Sequence, residues 1–332
     1  MNANTDTDTD TPLTTADVPP RFLNATLLIN HVPHRALASD PRVSYALRIP
    51  AEHYSSQYTA ADVGADPATA GGIPASALAK ANKLPLLVSM HGTRRYVFDI
   101  DALAPFAQSV PCALLTPLFP AGLDGPNDID SYKLMRSKTL RSDLALLDML
   151  DEVAVRWPGI DTDKIFLMGF SGGGQFAHRF LYLHPERLAA VSVGAPGHVT
   201  VLDDSHNWPI GIKDVETLFS RAIDKSLISQ VPIQLIVGGA ELTPPGGEQF
   251  WAWLGNLASR NEAAREALAY QFPPMEKGRL CTLQDLHKLW MREGITARFD
   301  VVPGVAHDPR GVREGVLAFL RPLIEKHGKE LN

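Results

Sequence analysis

The sequence predicts an α/β fold, a mostly parallel sheet flanked by helices, and three observations lead there. Short apolar or β-branched runs alternate with longer helical patterns along most of the chain. Most of these runs are apolar throughout, as strands covered on both faces must be. The residues best suited to chemistry fall just beyond successive runs between positions 171 and 307, which makes one sheet and one site of them.

Taken in order, the expected strands cover residues 26–30, 43–49, 84–90, 113–117, 164–169, 188–193, 233–237 and 298–302. No helical material separates the first two, so they should form an antiparallel edge pair. The other six should be parallel and buried on both faces. Helical patterns fill the gaps at 101–107, 136–157, 172–182, 282–293 and 313–326. Pro158 ends the long second helix, and Pro185 follows the third. Residues 1–20, with their Thr/Asp alternation, read as a disordered tail ahead of a single domain over 21–332. Residues 54–83, rich in Ala, Gly and Ser, form a hydrophilic insertion between the second and third strands. Two further segments, 196–230 after the sixth strand and 242–295 after the seventh, are too long for plain connections. Their aromatic residues, among them Trp208, Phe219, Phe250, Trp251, Trp253 and Trp290, suggest lids or pocket walls.

Composition narrows the function. The 332 residues are 45% hydrophobic, enough for a proper core, and 31 Lys and Arg against 37 Asp and Glu leave a net charge of −6. That balance lacks the positive excess that binding a phosphate backbone needs, so nucleic acid is not an expected partner. Cys112 and Cys281 lie far apart in no CxxC pattern, and no HExxH or Cys/His cluster occurs, so neither a metal nor another cofactor is expected. The N-terminus has no basic and apolar leader, and no apolar stretch reaches ~18 residues. The chain therefore reads as soluble and cytoplasmic, with no membrane partner and a small-molecule substrate.

Directly after the run ending in Leu167-Met168 comes Gly169-Phe170-Ser171-Gly172-Gly173, leading into Gly174-Gln175-Phe176-Ala177-His178-Arg179-Phe180. A GxSxG match alone says little, but strand, sharp turn and helix together are what a nucleophile elbow requires. Flanking glycines let the backbone turn tightly around a serine, and the helix N-terminus aims free N–H groups at the same point. Ser171 is the expected nucleophile. A phosphate-binding reading fits worse, since the run has neither GxGxxG spacing nor GK[ST].

The third strand ends in His91-Gly92-Thr93-Arg94-Arg95. There the N–H of Thr93 and that of Gly172 would converge on a developing oxyanion. His91 reads as a loop-shaping residue, and His178 and His184 should point away from the site. His198 and His206 lie where they could touch substrate. The turn Pro303-Gly304-Val305-Ala306-His307 puts His307 just past the last strand, in place for a general base. An imidazole in that role needs a carboxylate to fix its tautomer. Glu241, just beyond the seventh strand, is the favoured acid; Asp203 or Asp204 compete, and Asp308 adjoins the histidine. Arg94 and Arg95 could hold a substrate carboxylate, although an arginine pair in a loop more often faces solvent or ties to an aspartate such as Asp99 or Asp101. Trp208, with Leu118-Phe119-Pro120, could line an apolar pocket.

From about residue 40 to 325 these motifs resemble the α/β-hydrolase superfamily. The HG-Thr loop, the GFSGGG elbow with its QxAHRF helix and the PGxxH turn look most like esterases near the polyhydroxybutyrate-depolymerase and feruloyl-esterase-like groups. That resemblance implies an eight-stranded, mostly parallel sheet with lid insertions after strands six and seven, and a Ser171–Glu241–His307 triad. The chain departs from secreted members in lacking an export signal and in carrying Glu where Asp is usual. The expected activity is hydrolysis of a carboxylic ester through an acyl-enzyme on Ser171. Amide, lactone or C–C bond hydrolysis on the same triad is the alternative, and an inactive ligand-binding relative is the alternative of another class.

Overall fold

A computed structural model describes residues 13–26, 28–54, 83–96, 99–273 and 276–332. Its strands are β1 (Asn30–Ala36), β2 (Ser44–Ile49), β3 (Leu86–Met90), β4 (Ala113–Leu118), β5 (Ile165–Phe170), β6 (Leu188–Gly194), β7 (Ile233–Gly238) and β8 (Arg298–Val302). They form one eight-stranded sheet in the order β1-β2-β4-β3-β5-β6-β7-β8. β1 pairs antiparallel with β2, and β2 pairs antiparallel with β4. From β4 to β8 every pairing is parallel, as the apolar runs predicted.

The helices are α1 (Asp99–Ser109), α2 (Ser142–Arg156), α3 (Gly172–Leu183), α4 (Val215–Phe219), α5 (Lys225–Gln230), α6 (Gly247–Ala258), α7 (Glu262–Gln271), α8 (Arg279–Arg292) and α9 (Pro309–Leu331). One face of the sheet packs on α2, α3 and α8 through residues such as Leu146, Leu150, Phe176, Phe180 and Trp290. The other face packs on α1 and α9. Along α9 the buried residues are Val312, Val316, Leu320 and Ile324, four apart and therefore on one stripe. Each such side chain removed from water contributes about 1.5–3 kcal/mol, so this stripe, with Leu317, Phe319 and Leu323 beside it, holds the C-terminal helix on the sheet.

Four expectations need correction. The first strand runs over Asn30–Ala36 and not 26–30. The earlier residues tuck against the end of α2, where Thr26 N–H donates to Arg156 O at 2.9 Å and Trp157 Nε1 donates to Leu28 O at 2.6 Å. β1 carries Pro33 and a register shift between Val32 and Arg35, both tolerable only on an edge. β8 is the other edge and is only half-buried, so its expected burial on both faces does not hold. The second helix begins at Ser142, not 136. Asp124 captures the N–H groups of Lys138 (2.5 Å) and Thr139 (3.2 Å), bending those residues into a turn.

The expected N-terminal tail lies outside the described residues up to position 12. Beyond it the chain is ordered, because Thr15 donates its N–H to Asp148 Oδ1 (3.2 Å) and its hydroxyl to Asp148 O (3.0 Å). Most of the 54–83 insertion also lies outside the described residues. No described helix is long and apolar enough to cross a membrane.

Candidate active site

The turn between β5 and α3 holds Ser171 at φ 58° and ψ −115°, a conformation that L-residues seldom adopt. Ser171 N–H donates to Gly194 O at 2.9 Å, and its carbonyl accepts Gln175 N–H at 3.0 Å, so the strained residue is fixed from both sides. The glycine run explains how the turn closes: a Cβ on Gly173 would collide with Met90 O of the adjacent strand. Gly172 is the first residue of α3, so its N–H has no intrahelical acceptor.

His307 and Glu241 meet on turns after neighbouring strands, β8 and β7. Glu241 Oε2 lies 2.7 Å from His307 Nδ1. Glu241 Oε1 accepts Gly238 N–H at 3.3 Å, and Arg279 Nη1 stands 3.4 Å from Oε2. The two turns are stitched together: Gly239 N–H donates to Val302 O (2.8 Å) and Ala240 N–H to Val305 O (2.9 Å). Gly238 permits that approach, since a Cβ there would strike Val305 O. The carboxylate is buried and the imidazole a third exposed. Bonded through Nδ1, such a ring is held with Nε2 free to take and return a proton. The Phe170 ring packs on it at 4.7 Å between centroids.

The competing acids stand elsewhere. Asp203 is exposed, bonded to Ser205 and to His206 Nδ1 at 3.0 Å. Asp308 caps α9 by accepting Arg310 N–H at 2.9 Å.

The loop after β3 lies against the elbow. A Cβ on Gly172 would sit 3.0 Å from Thr93 N, so the amides of Thr93 and Gly172 are neighbours. Thr93 donates its hydroxyl to Asp130 Oδ2 at 2.5 Å, and Lys133 Nζ donates to the same oxygen at 3.0 Å. Gln271 Oε1 accepts the N–H groups of Ile129 (2.8 Å) and Asp130 (2.7 Å). His91 is buried and holds the loop: Nε2 accepts Phe119 N–H at 3.0 Å, so Nδ1 carries the proton shared with Gly92 O at 2.9 Å. Burial pulls its pKa down to about 4, which keeps it neutral.

Ser171, His307, Thr93 and His198 all line one cavity of about 580 Å³. Segment 242–295 contributes Phe250 and Trp251 to its wall, and segment 196–230 contributes Gly197 and His198. Other expectations for these segments fail. Trp208 is buried in the core, its Nε1 donating to Leu134 O at 2.8 Å and its ring against Phe219, and it does not line the cavity. Phe219 and Trp290 are buried likewise. Outside these segments, His178 and His184 stay off the cavity as expected: His178 is buried, with Nε2 accepting Thr200 N–H at 2.9 Å, and His184 pairs with Asp143 at 3.0 Å. Arg95 borders the cavity but is committed: Nε donates to Phe119 O (2.7 Å), Nη1 to Thr93 O (2.7 Å), and Asp130 Oδ1 lies 3.3 Å away. Arg94 is exposed at the cavity.

No protein-family model matches the chain, and no curated protein does. Solved structures do. Poly(aspartic acid) hydrolase-1 from Sphingomonas sp. KT-1 superposes with a TM-score of 0.59 at 18% identity, covering 88% of this chain and 98% of the other. LpqC, a poly(3-hydroxybutyrate) depolymerase from Bordetella parapertussis, gives 0.54 at 19% identity, covering 93% and 94%. A ferulic acid esterase gives 0.50 at 12% identity, covering 91% and 99%. The chain has the α/β-hydrolase fold.

Within that α/β-hydrolase fold, four cavity neighbours escaped the sequence reading: Lys133, Asp130, Gln271 and Arg279. Asp130 and Lys133 sit in an unremarkable polar stretch, Gln271 ends a surface helix, and Arg279 opens α8. Asp130 is 37 residues from Thr93, and Arg279 is 38 from Glu241, so no local pattern announces either contact. Among the described residues no group of His, Cys, Asp and Glu could hold a metal ion.

Proposed function

We propose that this protein is a serine hydrolase that cleaves a carboxylic ester. Ser171 attacks the acyl carbon while His307 takes its proton. The amides of Thr93 and Gly172 stabilise the oxyanion, and protonated His307 then protonates the departing alkoxide, releasing the alcohol. Water, deprotonated by the same imidazole, cleaves the acyl-enzyme and restores the serine. Glu241 holds the ring in the tautomer that leaves Nε2 free and offsets the charge of the imidazolium.

One observation carries the reading: a serine forced to φ 58° shares a cavity with an imidazole whose other nitrogen lies 2.7 Å from a buried carboxylate. Strain at a polar residue is retained where the surrounding structure insists on it, and such places cluster at active sites. The names of the fold neighbours, esterases and depolymerases, agree with this chemistry. Action inside the cell belongs to the same proposal.

Labelling by a fluorophosphonate and turnover of p-nitrophenyl butyrate test it. Wild-type protein should do both and Ser171→Ala neither. A wild-type protein that resists the probe and leaves the ester intact would overturn the proposal.

A further inference from the structure

The chain is acidic overall, at −6, yet its cavity is walled by cations. Arg94, Arg95, Lys133, Arg279 and Arg313 line it, and no Asp or Glu among the described residues does. Two carboxylates stand behind the wall, Asp130 against Lys133 and Arg95, and Glu241 against Arg279 and His307. Setting Arg313 aside, these two carboxylates are too few to balance the four positive charges of Arg94, Arg95, Lys133 and Arg279.

The innermost part of this wall has unused donors. Lys133 is almost wholly buried, gives one N–H to Asp130 at 3.0 Å, and lies 4.0 Å from the centre of the Phe272 ring. Arg279 Nε is buried with no acceptor among the described residues. A buried donor without an acceptor is costly, and at a cavity wall a ligand oxygen, like a water, can supply the missing acceptor. His198 completes the group. Burial and the charges of Lys133, Arg179 and Arg279 pull its pKa down to about 3, so it stands there as a neutral ring with an N–H to give.

Resting on the hydrolase reading above, we infer that the ester substrate carries a separate carboxylate, seated against Lys133, His198 and Arg279, with Arg94 drawing it in at the exposed wall. Hydrolysis breaks the acyl C–O bond, adds one water and releases an alcohol and an acid. The recognised carboxylate takes no part and leaves unchanged. A planar anion offers two acceptor oxygens to donors from different elements, and charge-assisted bonds of this kind are about twice as strong as neutral ones.

The experiment compares p-nitrophenyl hydrogen adipate with the uncharged p-nitrophenyl adipamate on the full chain, subtracting spontaneous hydrolysis. Wild-type kcat/KM should favour the anionic ester by about tenfold or more, the worth of a hydrogen bond to a charged group. Lys133→Met should cut that ratio by about as much, and Arg94→Gln, on an exposed residue that threatens folding less, by a few-fold. Should Lys133→Met fail to fold, the wild-type ratio and Arg94→Gln decide. A wild-type ratio near or below one, or a high ratio that survives the substitutions, would overturn the inference and leave the esterase reading standing. Failure to hydrolyse either ester, together with no fluorophosphonate labelling, would instead overturn the hydrolase reading on which the inference rests.

Discussion

Glu241 holds His307 by a single oxygen, Oε2, at 2.7 Å from Nδ1. Its other oxygen is tied back to Gly238 N–H in the same turn, so the longer glutamate side chain folds over its own loop to reach the ring. On the proposed mechanism Glu241→Ala should lower kcat by about 10³–10⁴-fold, the range that loss of the tautomer-fixing acid brings. Glu241→Asp, one methylene short, should lie between wild type and alanine. Both are read by p-nitrophenyl butyrate kinetics, and an unchanged kcat in Glu241→Ala would remove the glutamate from the mechanism. Because Arg279 pairs with this carboxylate, the alanine variant also leaves a mostly buried guanidinium short of a partner. Combining it with Arg279→Met should recover stability but not activity, separating the structural part of the loss from the chemical part.

Ser171 occupies φ 58° and ψ −115° against the preference of an L-residue. Glycine reaches that region without a Cβ penalty. Ser171→Gly should therefore raise the unfolding free energy by about 1–3 kcal/mol while abolishing ester hydrolysis. Thermal or urea unfolding measures the gain, and a glycine variant less stable than wild type would show that the hydroxyl is worth more to the fold than the strain costs.

Local chemistry was legible in the chain. The elbow announces itself within five residues, and the strand, glycine turn and histidine of the C-terminal part are equally local. Parallel strands from β4 to β8 followed from runs that bury both faces, except that β8, lying at the edge, exposes part of its side chains. Distant pairing was hidden. The 26–30 run has the composition of a strand, but its backbone bonds to the end of α2 instead. Trp208 in a long connection reads equally well as pocket wall or core, and its indole N–H finding Leu134 O decides for the core. Buried charges were the least legible of all, because Asp130, Lys133 and Arg279 look like surface residues until the fold brings their partners to them.

Thr93 offers a way to test the proposed oxyanion role of its loop through a side chain. Its hydroxyl donates to Asp130 Oδ2 at 2.5 Å, and this carboxylate also holds Lys133 and Arg95. Thr93→Val keeps the shape and the backbone N–H but releases the loop from that anchor. A hydrogen bond to a charged acceptor is worth about 1.5–3 kcal/mol, so kcat should fall by about tenfold or more with a smaller change in KM. Asp130→Ala should do worse and in a different way, since it strands two buried or part-buried cations and destabilises the protein by about 3–5 kcal/mol. Equal stability losses in the two variants would contradict this division.

Acid should unfold the protein through its histidines before its carboxylates. In the folded chain His91 has a pKa of about 4 and His198 of about 3, both below the ordinary 6.5, and burial also takes His178 well below it. Between pH 6.5 and 4 the unfolded chain therefore binds protons that the folded chain refuses, and stability must fall as pH falls through that window. Each such proton contributes a slope of about 1.4 kcal/mol per pH unit once the unfolded side chain is fully protonated. Asp148 works against this: burial raises its pKa to about 6, so the folded chain takes up a proton there first. Burial raises Asp151 as well and lowers His34, so four histidines stand against two carboxyls, and the net slope should be positive with pH. His91→Gln replaces the ring with an amide able to accept from Phe119 N–H and donate to Gly92 O while having nothing to titrate. Urea unfolding of the wild type and of His91→Gln at intervals from pH 7 to pH 4.5 measures the effect, at about one proton less of slope in the variant. Parallel curves for the two proteins would mean that His91 is protonated in the folded state and that its bond to Phe119 N–H does not keep it neutral.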